Sequence, residues 1–490
     1  MKRGPVLLRL SGVAILLDGL QEYMSSISYR THTPKTAIRR FLAPLRGAFT
    51  TRPDGSTWSR AANTWSVAPA YVEGLIRPGS HKTLRGIGKR LAINEHRVRR
   101  FISESPWEHD AVQMHLNHHL PETIASPEAM LIVDDVDILK DGHDSVGVSP
   151  QYAGSINRIS SCQVGVDCVV AFPDETYNAD QLIWPLGCEL YLPQKWIEAE
   201  KFKERRSQCA IPEDISFRTK QQIALKLFAR ARKASVPHAC VGADAGYSDV
   251  RSFRAQLREW NEPYILGVGS KELRVIPEST PIESPDRWSG RGRPPTEPRF
   301  PEGVKPQSPV EIAADLDDED WTVITWTKRT KEPLSGRFFR TRVRIVTQVH
   351  KRRVSDETGW LLIEDAEDKL RSWLCWGLDE WDLEELVKYA HLRWAIEEFH
   401  RGAKQVLGLD QFEGRTWKGW HHHVTIVLLT YAFIATDRAA QGAAGRPPPF
   451  SAVARALVYE MATQMAEAEG LDRRKAKDVA DVMVKGLTDW

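Results

Sequence analysis

The sequence predicts an α/β protein built on a mixed sheet, preceded by a basic helical region and interrupted by a second β-rich segment. Three observations carry this. Strand-length runs of β-branched and apolar residues begin at residue 130, strands and helices alternate from there to residue 272, and a further set of strand-like runs follows a proline-rich stretch. At 490 residues, with 42% apolar and 27% charged side chains, the chain has the profile of a folded protein and length for about two to four structural units.

Residues 10 to 110 read as helices with polar joints. Pro34 marks a turn before the basic stretch AIRRFLAPLRGAF, and in the stretch from Tyr71 to Trp107 Leu84, Ile87, Leu91 and Ile93 recur at near-helical spacing among arginines. This stretch resembles a helix-turn-helix, the alternative being a solvated basic face on an ordinary helical pair. From residue 130 the period changes: MLIVDD, SSCQVGVDCVVAF and LGCELYLP are strand runs separated by Gly, Pro and Asp. FRTKQQIALKLFARARKASV then reads as a helix, HACVGAD as a short buried strand, DVRSFRAQLREW as a helix and PYILGVGS as a strand.

Residues 277 to 309 hold nine of the 29 prolines, a composition that cannot pack a core and reads as an exposed loop. WTVITW, RFFRTRVRIVTQV, GWLLIE and RSWLCWGL follow as a second, antiparallel sheet. DLEELVKYAHLRWAIEEFHRGAKQVLG is a single long helix stopped at Gly408, HHHVTIVLLTYAFIATDRA a buried helix, and residues 451 to 488 an amphipathic tail.

The net charge of +2 hides an asymmetry: residues 1 to 100 hold 18 Lys/Arg against 5 Asp/Glu, while the remainder is acidic. Such a basic end suits a polyanion. The six cysteines form no CxxC pair, which argues for a reducing compartment and against a zinc cluster. The apolar run near the start is split by Arg9 and closed by Asp18, so a signal peptide is not expected. No run of about 18 apolar residues exists to span a membrane.

Asp134 directly follows Leu131, Ile132 and Val133, and Asp244 ends the run Ala239 to Ala243. A carboxylate at the mouth of a buried strand loses solvation unless a cation or donor compensates; either residue alone reads as a cap or turn residue, but their matching positions point to a site. On the predicted long helix, Arg393, Glu397 and Lys404 fall on one stripe, with Tyr389 on the same side. The bland alternative is a solvated ion pair; the adjacent Trp394 and Ile396 imply that the helix is packed. Hard oxygen ligands from separate elements suit Mg²⁺ and phosphodiester chemistry.

The strings LIVDDVDILKDGHDSVGVSPQYAGSINRISSCQVGVD, VGADAGYSD and LRWAIEEFHRGAKQVLGLDQFEGRTWKGWHHHVTIVLLTYAFIA, with FISESPW ahead of them, resemble the signature regions of bacterial insertion-sequence DDE transposases of the insertion sequence 701-like kind. The resemblance covers roughly residues 70 to 435. It implies a ribonuclease H-like mixed sheet core with a β-rich insertion and a helical N-terminal DNA-binding region. The implied segments are 1–120 as that N-terminal region, 121–272 as the first part of the core, 273–380 as the proline-rich loop and insertion, 381–438 as the last part of the core with the catalytic helix, and 439–490 as a helical tail.

The catalytic and metal-binding triad implied is Asp134, Asp244 and Glu397, holding two Mg²⁺ ions for which Mn²⁺ can substitute. Asp135 and Asp137 rival Asp134 for the first position. Arg393 and Lys404 match the third motif and would hold phosphates, whereas three residues separate Tyr389 from Arg393 where related transposases have two. Cations among residues 327 to 353 could follow a phosphate backbone. Arg291 and Arg293, in an Arg-Gly-Arg-Pro string, resemble a minor-groove hook, and Lys89 and Arg90 are the N-terminal candidates for DNA. The Trp417, Trp420 and His421 to His423 cluster could stack a base or bind metal, but helix packing explains it better.

The expected function is a cytoplasmic, nucleoid-associated transposase that cleaves and joins double-stranded DNA at the ends of its element, as a homodimer on DNA and without a membrane partner. The rivals are a retired transposase acting as a DNA-binding regulator and a ribonuclease H-like nuclease or resolvase.

Overall fold

The computed structural model describes residues 34–485 apart from 53, 60–63, 78–81, 123, 174–180, 285–297, 327–333, 367–368 and 443–446. Contacts divide the chain into two units, one formed by residues up to Glu108 with 402–413 and 429 onward, the other by 109–401 and 414–428.

The first unit opens with α1 (Pro34–Leu42), α2 (Arg46–Thr50), α3 (Ala68–Ile76), α4 (Leu84–Arg90) and α5 (Glu95–Ser103). Thr83 and Asn94 cap α4 and α5 by accepting from the backbone N–H groups of Gly86 and His96. Between the two, Ala92 adopts φ 50° to turn the chain. The FISESPW segment contributes to the core of this unit: Phe101 and Trp107 pack with Phe49 at ring separations of 6.2 and 4.8 Å, and the Trp107 indole donates to the Phe101 carbonyl.

The second unit begins with α6 (His109–His118), whose Gln113 and Asn117 amides donate to the carbonyls of Cys188 and Leu186. The strands are β1 (Met130–Leu139), β2 (Ser149–Ala153), β3 (Arg158–Ala171) and β4 (Ile183–Tyr191). Then come α7 (Lys220–Lys233), capped by a Thr219/Gln222 box, β5 (Cys240–Ala243), α8 (Arg251–Glu259), β6 (Tyr264–Gly267) and β7 (Val275–Pro277). β8 (Thr322–Trp326), β9 (Leu334–Gln348), β10 (Arg353–Asp365) and β11 (Leu370–Trp376) complete the set.

These strands form a single sheet of eleven in the order β2-β3-β1-β5-β6-β11-β10-β9-β7, with β4 added to β3 and β8 to β9. β1, β3 and β4 are antiparallel, while β1, β5 and β6 run parallel, an arrangement consistent with a ribonuclease H-like fold. The expectation of two separate sheets is therefore corrected. β11 pairs antiparallel with β6, which converts what would be an open edge into a continuous ladder.

A further correction concerns the long helix. It is divided at Arg393 and Trp394 into α9 (Leu383–Leu392) and α10 (Ala395–Arg401), followed by a π-helical turn at Gly402–Val406. The N–H groups of Ile396 and Glu397 bond to the carbonyls of Arg393 and Trp394, a tighter turn than an α-helix makes. Gly408, at φ 70°, does end the stretch. α11 (Trp417–Gly442) passes from the second unit into the first, where α12 (Phe450–Ala468) and α13 (Arg473–Lys485) follow.

Candidate active site

β1 and β5 are adjacent and parallel, with Ile132 opposite Gly242. Two residues further along each strand direction stand Asp134 and Asp244, on the same face as that pair because side chains alternate. Asp244 leaves β5 and precedes a one-turn helix, Ala245–Ser248, and a Cβ added at Gly246 would stand 3.2 Å from its Oδ1. The third element is α10: the Arg393 guanidinium donates to Asp134 Oδ2 at 2.9 Å and lies 3.8 Å from Glu397 Oε1. Ile396 is fully buried, but Trp394 is 48% exposed, which corrects the expectation that it packs.

The electrostatics follow from this placement. Burial pushes the Asp134 carboxyl up to about 7; Arg393 opposes the shift, and Asp244 and Glu397 add to it. Asp244 is raised as well, by burial first, with Arg393 the strongest opposing charge. Its Oδ1 is buried and has no hydrogen-bond partner.

The three rivals for the first position have different surroundings. Asp135 is engaged by the Lys220 ammonium and the Tyr247 hydroxyl, Asp137 by Ser155, and Asp134 by Arg393.

Two residues absent from the sequence reading also belong here. Asp167, on β3, lies directly opposite Asp134 in the ladder and is fully buried, and His400, one helical turn beyond Glu397, meets its Oδ2 at 3.1 Å. Burial disfavours the charged imidazole, yet the hydrogen bond and charge of Asp167 outweigh it and raise the His400 pKa. A lone acid within the apolar run SSCQVGVDCVVAF was the available signal, the same one that marks Asp134.

Among the described residues, no three His, Cys, Asp or Glu side chains stand close enough to share a metal ion as they are. The Arg393 guanidinium occupies the approach between Asp134 and Glu397. The donor set nevertheless fits a hard divalent cation: all three groups are carboxylates, and Asp244 Oδ1 is buried with no hydrogen-bond partner.

The other candidates are placed as follows. Lys404 lies on the π-helical turn, in the first unit. Lys89 is exposed on α4, whereas Arg90 turns inward and donates to the Gly74 carbonyl at 3.3 Å. Arg291 and Arg293 lie outside the described residues. On β9, Arg337 pairs with Asp318 and Arg342 with Glu278 and Asp379, while Arg340 stacks over Trp360 at 4.5 Å. These cations are engaged within the fold rather than laid out as a free phosphate track. Trp420 and His421 to His423 are about 1% exposed on α11, as packing residues are. Among the described residues no helix is long and apolar enough to cross a membrane.

Residues 50–333 match the family model described as DDE superfamily endonuclease. No curated protein sequence matches the chain significantly. Among solved structures, the Drosophila P element transposase strand transfer complex is similar at 10% identity and a TM-score of 0.22, the match covering 50% of this chain and 42% of that one.

Proposed function

Because the chain belongs to the DDE superfamily endonucleases, we propose that it is a DNA transposase of the bacterial insertion sequence 701-like kind. It binds the terminal inverted repeats of its element, cleaves strands there with Mg²⁺, and joins the freed 3′ hydroxyls to target DNA. The observation that carries this reading is the position of Arg393, whose guanidinium is within 4 Å of both Asp134 and Glu397 and is the main cation offsetting Asp244.

In this reading Asp134, Asp244 and Glu397 hold the divalent cations. When bound, such ions activate the attacking water or hydroxyl and stabilise the leaving oxygen of an in-line displacement, and Mn²⁺ serves in place of Mg²⁺. The protein's own groups do the rest. Asp167 and His400 pin α10 to β3, so that Glu397 is held over the sheet. Lys220 and Tyr247 fix Asp135 and keep it from competing for the position of Asp134. Arg393 and Lys404 contact phosphates of the strand, Arg291 and Arg293 a narrow minor groove, and Lys89 the DNA bound by the N-terminal helices, whereas Arg90, turned onto the Gly74 carbonyl, supports the fold there. Joining two ends calls for a homodimer on DNA, acting in the cytoplasm at the nucleoid.

A second reading, a DNA endonuclease that does not join strands, draws on the family description itself. The test incubates the protein with a duplex carrying the element's ends, Mg²⁺ and target DNA. Cleavage and strand-transfer product are expected from wild type, and binding without cleavage from Glu397→Gln. Cleavage without joining selects the second reading, and cleavage untouched by the substitution removes Glu397 from the mechanism.

A further inference from the structure

We infer that Arg393 holds the place of the divalent cation in the free protein and is displaced from the carboxylates when the cation binds. This rests on the reading of Asp134, Asp244 and Glu397 as cation ligands. The guanidinium donates to Asp134 Oδ2 at 2.9 Å and stands 3.8 Å from Glu397 Oε1, so it lies against the oxygens that a metal would use. The sharing is electrostatically exclusive: a divalent ion ligated by these oxygens and a guanidinium bonded to one of them are like charges at contact distance.

The backbone gives the side chain a way out. Arg393 sits in the tight turn between α9 and α10, not within a helix, and its side chain is 22% exposed next to the exposed Trp394. A rotation about its side-chain bonds carries the guanidinium toward solvent without moving either helix. Without it, the largely buried Asp134 and the unpartnered Asp244 oxygen would be left with no nearby guanidinium until a metal arrived. Once displaced, the guanidinium is free to pair with a phosphate, which is the planar, bidentate acceptor it suits. Arg393 is therefore a positioning residue that keeps the carboxylates assembled and passes its charge to the DNA as the metal enters.

The test is Mn²⁺ binding to the full-length protein without DNA, followed by electron paramagnetic resonance, together with thermal unfolding with and without Mn²⁺. The variants are Arg393→Gln, Arg393→Lys and Asp134→Asn. Removing a like charge at this range is worth about tenfold or more in affinity. Arg393→Gln is expected to bind Mn²⁺ at least that much more tightly than wild type, with Arg393→Lys between them. Without metal, Arg393→Gln unfolds at a lower temperature than wild type, and it gains more from added Mn²⁺. Equal or weaker Mn²⁺ binding by Arg393→Gln, with wild-type binding still abolished by Asp134→Asn, overturns the inference and leaves the cation site standing. Absence of saturable Mn²⁺ binding in every form overturns the site reading and the inference with it.

Discussion

Asp134 and Asp167 stand directly opposite each other across the β1–β3 ladder, and each is held by a cation from the segment that follows α9: Arg393 on the first, His400 on the second. Like charges placed opposite one another in a sheet destabilise it unless each is offset separately. The α10 segment is thereby fastened to the sheet by charge as well as by the buried Ile396 and Phe399.

Removing the second of these cations tests that fastening. His400→Ala leaves Asp167 buried and unpaired, and the expected loss is about 3 kcal/mol or more in urea unfolding. The double variant with Asp167→Asn should recover much of the loss. A His400→Ala protein as stable as wild type would show that the pair contributes nothing.

The rival carboxylates separate by kinetics. Asp134→Asn is expected to reduce DNA cleavage to background. Asp135→Asn, which disturbs only the Lys220 and Tyr247 contacts beside it, should cost about 10- to 100-fold. The reverse ranking, measured as single-turnover cleavage, would make Asp135 the ligand.

The helical unit carries a pH dependence of its own. Lys82 is 3% exposed, and burial lowers its pKa to about 7 from an ordinary 10.5, with Arg90 adding to the shift. Between those two values the unfolded chain binds a proton that the folded one does not, so stability rises as pH rises across that window and is lost as pH falls through 7. Lys82→Met should therefore stabilise the protein at pH 7, with a gain that shrinks toward pH 10. A pH-independent difference in thermal unfolding would contradict this.

The N-terminal cations should behave differently from one another. Exposed Lys89, if changed to Ala, is expected to weaken DNA binding and lower the salt-dependence slope by about 1. Arg90→Ala, which removes the bond to the Gly74 carbonyl, should lower the unfolding temperature more than it changes that slope. Fluorescence anisotropy over a salt series reads both, and a Lys89→Ala slope equal to that of wild type would remove Lys89 from the interface.

Much of the sheet was legible in the sequence, and so was the placing of Asp134 and Asp244 at the ends of neighbouring strand runs, because a carboxylate closing an apolar run is a local signal. What escaped was long-range or geometric. The joining of β11 to β6 depends on pairing across about a hundred residues, and periodicity marks strands without naming their partners. The break at Arg393 and Trp394 is invisible because LRWAIEEF consists largely of good helix formers, so no local residue marks the tighter turn. The Asp167–His400 pair was missed because its two halves lie 233 residues apart.

The most direct measurement is the anomalous diffraction signal of Mn²⁺ in a crystal of the metal-soaked protein. An ion bound by Asp134, Asp244 and Glu397 is expected, with the Arg393 guanidinium withdrawn from Asp134. Mn²⁺ bound elsewhere, with those three carboxylates still apart around Arg393, would contradict that expectation.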